Sequence, residues 1–543
     1  MSATNPVWAA MERPGDKRPH LHCWQDGGYR AVSWDEWRRS SERSAAGLQA
    51  LGVQPGDRIA AVLTNTFEVC SAILGAWLVG ATLMSLPTPR RGMKPDEYVE
   101  QLKYLCRAAG GVRVMLLEER FTALLDPEGL GAPIASFASL DRDLTPNLCP
   151  LADDAPAFVQ YSSGSTSQPK GIVLSMQAIG HQELMLAERL HVDGDSQGLM
   201  WLPLSHDMGL FGCLLLSWVA GMRLAVGPPE RFLQRPQTWL DDAADLGATI
   251  TVSPNFGLAL ATRKARVTAP KGRSPLQSLV LGGERIELST LDAAHEVLGP
   301  FGFTRETLTP AYGLAEGTLA VTMKHHGQTP RSVWIDRERA YRGELSLVDA
   351  QADGAAAMVA CGPPMRGVSV RTDEPNLGRI RLSSTSLADG YLNAPERTAA
   401  AFVDGEFHTE DLGFIHQNEL FVLGRTDDVL VIAGRNVHAR DIEREIELHD
   451  GVRPGCSALI DCRVDGDSRV VLVAEPSGTG AALDQLAGDM AQTAFTAGGL
   501  RVSECVFVRP GQLPKTPSGK IQRFLCRALL DSDEEAVLER VPT

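Results

Sequence analysis

The residues from Phe158 to Leu174, FVQYSSGSTSQPKGIVL, gather the groups that a polyphosphate requires. Ser162, Ser163, Ser165 and Thr166 bring hydroxyls and Lys170 a cation, while Gly164 and Gly171 loosen the backbone so that N–H groups can turn toward an anion. An apolar run ends at Tyr161 and a second begins at Ile172, which predicts strand, loop, strand. No Gly-Lys-Ser/Thr follows a first glycine at the distance a Walker loop requires. Taken alone, a Ser/Gly-rich turn with one lysine is more often plain solvated surface. The rest of the chain has to decide.

Bulk properties narrow the choice. A chain of 543 residues exceeds one hydrophobic core and suggests three or four units of about 150 residues. Its residues are 44% hydrophobic and 22% charged, as in ordinary globular proteins. The net charge of −15 argues against general binding to nucleic acid or anionic membranes, which needs clustered basic residues, yet leaves room for a local basic pocket. Ten cysteines are scattered without any Cys-x-x-Cys, which suits a reducing compartment and argues against a thiolate metal site. Met1–Pro19 is polar and lacks the apolar core of a secretory leader. Val69–Leu86 carries no charge, but its glycines, serines and threonine predict a buried helix ending at Gly80 and then a buried strand, not a membrane span. The expectation is a cytoplasmic protein.

The elements that must position the loop read as alternating helix and strand. Ser33 followed by Glu36 has capping-box spacing and opens a helical pattern that ends near Gly52. Pro55-Gly56-Asp57 then turns the chain into the apolar run Arg58–Leu63. The alternation recurs in a helix before Gly247, the run Ala248–Val252, the run Leu279–Leu281 and helix formers at Ser289–Leu298. Such order implies layered α/β architecture with largely parallel sheets. Lys324–Ala357 is polar and weakly periodic, and reads as a surface excursion. Composition changes near Gly424–Asp428, and the C-terminal residues beyond that point hold strands and helices sufficient for a small α+β domain.

Six ordered motifs give the chain a resemblance to the adenylate-forming ligases, and within them to the fatty acyl-AMP ligases and acyl-CoA synthetases. They are Tyr161–Gly171, Trp201–Leu210 (WLPLSHDMGL), Ala311–Leu319 (AYGLAEGTL), Thr409–Gly413 (TEDLG), Gly424–Asp428 (GRTDD) and Leu513–Arg523 (LPKTPSGKIQR). The resemblance implies a large N-terminal acyl- and ATP-binding domain of layered α/β subdomains, residues 1–424. It also implies a small mobile α+β lid, residues 425–543, with a hinge near Asp427. The implied reaction converts a carboxylate to an acyl-adenylate with ATP and Mg²⁺, then passes the acyl group to a pantetheine thiol of CoA or an acyl carrier protein.

The resemblance assigns roles that chemistry makes reasonable. A carboxylate is a poor acyl donor, and attack on the α-phosphate of ATP replaces an oxide leaving group with AMP. Negative charge gathers at the phosphorus, so cations must be aimed there. Lys520 is implied to bridge carboxylate and phosphate. Glu316, with Thr166, is implied to hold Mg²⁺ through hard oxygens. Tyr312 would stack on adenine beside Gly313, and Gly282-Gly283-Glu284 would let backbone approach the purine. Asp411 would accept both ribose hydroxyls, with Arg425 donating to the same sugar. His206 would stand where the acyl tunnel meets the phosphate loop. Glu410 occupies a position where the family commonly has glycine, and either weakens the nucleotide site or meets Arg425. Ser205 replaces a usual aromatic and leaves room for a bulkier acyl group.

Two features bear on the second step. Leu314 to Gly362 is about twice as long as acyl-CoA synthetases would suggest, and the extra residues near Ile335–Met358 coincide with an insertion that marks acyl-AMP ligases. Trp334, Ile335, Tyr341, Leu345 and Leu347 give it apolar surface for docking on a neighbouring domain. Gly434-Arg435-Asn436 with Asp441-Ile442-Glu443 also resembles the acyl-AMP ligase form, whereas Val437-His438-Ala439 departs from it, so the thiol acceptor stays open. Leu204-Ser205-His206-Asp207 is not the pattern of amino-acid-activating relatives, and an apolar acid fits better. A degenerate, non-catalytic relative is the alternative of another class; retention of Lys520, Glu316, Asp411 and Arg425 argues against it.

Overall fold

The computed structural model describes residues 4–14, 19–89, 94–122, 131–162, 170–426, 429–432, 435–464, 467–478, 483–515, 521–532 and 536–543. Ser163, Gly164, Ser165, Thr166, Asp427 and Lys520 lie outside the described residues, as does the side chain of Ser162.

Two large sheets form the N-terminal body. The first has the order Gly390–Tyr391, Lys170–Ser175, Pro156–Ser162, Thr82–Leu86, Arg58–Val62, Val114–Leu117, Ile134–Ser136. From Pro156–Ser162 onward its neighbours run parallel, while Lys170–Ser175 returns antiparallel beside Pro156–Ser162. The parallel strands are largely apolar and buried because parallel sheets are covered on both faces. The second sheet has eight strands, with Ser278–Leu281 between Leu308–Gly313 and Ile250–Ser253.

Local signals act where the sequence places them. Ser33 caps helix Trp34–Ala50, its hydroxyl accepting from the Glu36 N–H at 3.2 Å. The uncharged stretch resolves into helix Phe67–Leu78 and strand Thr82–Leu86, both buried. Gly75 lets that helix approach its neighbour, since a Cβ there would lie 2.9 Å from the Ser41 carbonyl oxygen. Among the described residues no helix is long and apolar enough to cross a membrane.

A third sheet, built on Gly378–Ser384, Glu406–His416 and Glu419–Arg425, carries the end of the N-terminal region. Beside it the stretch read as a surface excursion departs from that expectation. Ser332–Asp336 pairs antiparallel with Ala355–Val359 and with the two-residue strand Leu347–Val348. Ile335, Ala340, Ala356 and Met358 bury against Phe414, Phe421 and Leu423. Of the residues expected to dock, Ile335 is buried and Leu345 packs on the same cluster, but Leu347 is 45% exposed. The side chain of Tyr341 lies outside the described residues. The helix Arg337–Tyr341 runs beside strand Arg435–His438.

Beyond residue 428 the hairpin Val429–Ile432/Arg435–His438 leads to helix Ala439–Ile446 and a four-stranded sheet. Two hydrophobic clusters there, one around Leu459, Leu472 and Phe507 and one around Val473, Val506 and Cys526, draw all their buried members from residues after Leu430 or Leu430 itself.

Candidate active site

A cleft of about 3120 Å³ runs between the two large sheets, the third sheet and the C-terminal segment. Its polar end is built by strand register. Asp411 and Arg425 are opposite one another in the antiparallel pair Glu406–His416/Glu419–Arg425, so both side chains leave the same face. Arg425 Nε lies 3.7 Å from Asp411 Oδ1. Tyr312, at the end of strand Leu308–Gly313, donates its hydroxyl to Asp411 Oδ2 at 2.6 Å. Burial first, and then the Asp411 charge, hold the Tyr312 phenol well above its ordinary range, so it remains a neutral donor. Gly313 is required by shape, because a Cβ there would lie 1.7 Å from the Leu319 carbonyl oxygen.

Glu410 turns away from this group. It is exposed at the rim of the cleft and accepts from the Thr426 hydroxyl at 2.8 Å. Gly283 sits in the left-handed region at φ +77, and its backbone lines the cleft beside Met208. The Glu284 carboxylate accepts the Phe256 N–H at 2.6 Å, bracing the start of helix Asn255–Val267.

Glu316 lies in the short turn Ala315–Gly317, which Gly313 and Leu314 bring to the cleft floor. Tyr391 donates its hydroxyl to Glu316 Oε1 at 2.9 Å. Burial raises the Glu316 pKa; the Tyr391 hydrogen bond and the nearby Lys170 and Arg425 charges oppose that rise. Lys170 Nζ stands 5.4 Å from the Tyr391 ring centroid. Ser162 and Lys170 are register partners in the antiparallel pair Pro156–Ser162/Lys170–Ser175, which brings Lys170 toward this cluster. Tyr391 escaped the sequence reading, since it sits 75 residues from Glu316 in a two-residue strand with no local pattern.

His206 lines the cleft where the polar floor gives way to apolar wall, with Nδ1 2.6 Å from Asp207 Oδ1. The Gln160 amide donates to the Ser205 carbonyl at 3.0 Å and ties this turn to the strand that enters the phosphate loop. Beyond it the wall is formed by Leu186, Leu190, Gly212, Val252, Leu319 and Met323.

The C-terminal segment closes the opposite side. Pro514, Lys515, Ile521, Gln522 and Arg523, the described neighbours of Lys520, all line the cleft. Lys515 and Ile521 form an antiparallel bridge, and the Gln522 N–H bonds to the Pro514 carbonyl at 2.9 Å. Arg523 donates to both oxygens of the fully buried Glu443, at 2.5 and 3.1 Å. Glu443 also accepts from the Leu459 N–H, so the segment is fixed to helix Ala439–Ile446 and to the C-terminal four-stranded sheet at one carboxylate.

A second junction was not foreseen. Arg285, next to Glu284, donates to Asp441 Oδ1 at 2.7 Å and to the Leu423 carbonyl at 3.3 Å. Arg444 pairs with Glu287, and burial lowers its pKa to about 10. Asp441 and Arg444 are on one helix and Arg285 and Glu287 on one turn; separations of more than a hundred residues hide such pairs from a sequence.

Among the described residues there is no cluster of three His, Cys, Asp or Glu side chains able to cage a metal. A single carboxylate is instead the donor expected for Mg²⁺, which keeps water and substrate phosphate in most of its positions. Glu316 meets that description, with Oε1 bonded to Tyr391 and the group facing the cleft.

Comparison with known proteins gives the same outline. Residues 7–392 match the family model of the AMP-binding enzymes. The chain is 32% identical over 402 residues to the medium-chain-fatty-acid–[acyl-carrier-protein] ligase JamA of Moorena producens, covering 69% of this chain and 68% of that protein. It also resembles the fatty acyl-adenylate ligase from L. pneumophila in complex with acyl adenylate and pyrophosphate. The TM-score is 0.74 at 25% identity, over 100% of this chain and 98% of that one. A structure from the fatty acyl-adenylate ligases of E. coli and L. pneumophila has a TM-score of 0.87 at 22% identity, over 97% and 98%.

Proposed function

Because the chain belongs to the AMP-binding enzyme family, we propose that its cleft joins a fatty or other bulky apolar carboxylic acid to AMP and then delivers the acyl group to a pantetheine thiol. It is an adenylate-forming ligase that uses ATP. The observation that carries the reading is the junction of the Tyr312–Asp411–Arg425 group, the Glu316–Tyr391 pair and a continuous apolar wall in one cleft.

In the first step a carboxylate oxygen bonds to the α-phosphorus, the α–β bridging bond breaks, and pyrophosphate leaves. Asp411 and Arg425 hold the ribose, and Tyr312 positions both the purine and Asp411. Lys170 with Ser163, Ser165 and Thr166 retains the departing β- and γ-phosphates. Lys520 places a cation between carboxylate and phosphorus. Mg²⁺, held by Glu316 and Thr166, would supply positive charge to the phosphate oxygens. In the second step the thiol sulfur bonds to the acyl carbon, AMP leaves, and the thiol proton is lost.

We divide the chain at residues 1–424 and 425–543, with Asp427 as hinge. Separate buried clusters after Leu430 support that division. For the acceptor we favour an acyl carrier protein. The insertion supports this: its sheet packs on the strand that leads to the hinge, and its helix runs beside the post-hinge hairpin, where it would restrict the swing that admits CoA. Ten cysteines, none disulfide-bonded, support a cytoplasmic setting.

ATP–pyrophosphate exchange with a panel of fatty acids tests the first step. Absence of exchange with every acid would favour a binding protein. Mass spectrometry after incubation with CoA or a carrier protein identifies the acceptor; equal transfer to CoA would remove the carrier-protein preference and leave a full acyl-CoA synthetase.

A further inference from the structure

Helix Met176–Leu190 carries a group that the adenylation chemistry does not use. Glu183 is completely buried, and neither of its carboxyl oxygens has a hydrogen-bond partner. Native interiors leave few polar groups in this condition. Burial holds the Glu183 pKa well above the carboxylate range, so the group is a neutral acid with one O–H donor and acceptor capacity to spare. The adjacent Gln182 amide nitrogen is also without a partner, although its oxygen accepts from Ser386.

The position of Glu183 relates it to the acyl wall. At 3.6 residues per turn, Glu183, Leu186 and Leu190 fall within about 60° of the helix surface, and both leucines line the cleft. On the other side stands Cys213, close enough for the two groups to interact electrically. Cys213 belongs to the π-helical turn Leu210–Leu215, a geometry frequent at functional sites. Its neighbour Gly212 lines the cleft, where a Cβ would come within 3.0 Å of Leu319. Glu183 therefore lies directly behind the wall, on the helix face that carries the cleft-lining Leu186 and Leu190, with Cys213 as its titratable neighbour.

We propose that Glu183 is a specificity-determining residue, a sealed carboxyl without a partner that donates a hydrogen bond to a hydroxyl or keto oxygen the acyl chain brings past Leu186. A buried polar group without a partner favours the ligand that supplies one and disfavours the analogue that does not. The substrate class becomes an oxygen-bearing apolar acid instead of a plain alkanoic acid. The proposal rests on the acyl-adenylating function above.

The test compares acids of equal length, with and without one hydroxyl or keto group at successive carbons, in ATP–pyrophosphate exchange by the wild type, Glu183→Leu and Glu183→Gln. The wild type is expected to favour the oxygenated acid at one position by about tenfold or more in kcat/KM. Glu183→Leu should lose that preference while still activating the plain acid, and Glu183→Gln, which can donate, should keep part of it. A wild type that prefers the plain acid at every position, or a Leu variant that keeps the preference, overturns the proposal. Infrared difference spectra give a reading independent of turnover. The neutral carboxyl band missing from Glu183→Gln should shift when the favoured hydroxy acid binds the wild type, and an unmoved band sinks the assignment even if exchange is robust. Exchange with no acid at all, by contrast, removes the adenylating function beneath it.

Discussion

The end of the cleft proposed for the nucleotide and the end proposed for the acyl chain differ in how their polar groups are satisfied. At the nucleotide end Tyr312, Asp411 and Arg425 are bonded or paired to one another, and Glu316 is bonded to Tyr391. At the other end the wall is apolar, and the Glu183 carboxyl behind it has no partner. A nucleotide is the same in every turnover, so a network set before it arrives avoids reorganisation when charge develops. An acyl chain offers mainly surface to bury, and discrimination there must come from shape or from an unfilled polar position.

The comparison can be broken most severely through Lys520. Lys520→Ala is expected to lower adenylate formation by at least about a hundredfold, measured as pyrophosphate release, while acyl-chain binding followed by fluorescence stays near wild type. Near-normal release would refute the assignment. Asp411→Asn comes next, since it removes charge from the centre of the ribose group and leaves Arg425 and the Tyr312 hydroxyl with weaker acceptance. A loss of about 1.5–3 kcal/mol should appear as a KM for ATP raised tenfold or more, with the order of preference among acids unchanged. If the acid preference moves as well, the two ends are not independent.

Arg285→Ala sharpens the comparison at the domain junction. It removes the bond to Asp441 while Arg444 remains on Glu287. About 1 kcal/mol is expected, seen as adenylation slowed about fivefold with transfer from preformed acyl-adenylate no slower. Equal slowing of both half-reactions would show that the pair is merely structural.

The effect at Glu183 is read in stability instead of turnover. Its folded pKa is raised, so the folded state binds a proton that the unfolded chain has released. Wild-type stability is therefore fullest below the unfolded pKa near 4.5 and falls as pH rises toward the folded value. The slope can reach about 1.4 kcal/mol per pH unit. Glu183→Gln should flatten that decline in urea titrations above pH 5. Parallel curves for the two proteins would mean that the carboxyl is not held neutral.

Much of the local structure was legible because it depends on neighbours in sequence. Ser33 and Glu36 fixed one helix start, and the uncharged stretch Val69–Leu86 separated into helix and strand at Gly80 as its composition required. The stretch from Ser332 to Val359 was not legible. One of its strands is two residues long and another is largely alanine, and its apolar residues become a core only against Phe414 and Phe421.

The sequence by itself determined which chemical groups are present, in what order, and on which kinds of element. Hydroxyls and a lysine between two apolar runs, a glycine-bounded Glu316, and Lys520 in its motif are all short-range facts. Tertiary structure decided who meets whom. Tyr312 reaches Asp411 across 99 residues, and Arg285 reaches Asp441 across 156. Strand register and helix docking set those meetings, and no local spacing encodes them. The same packing that joined these pairs left Glu183 sealed without one.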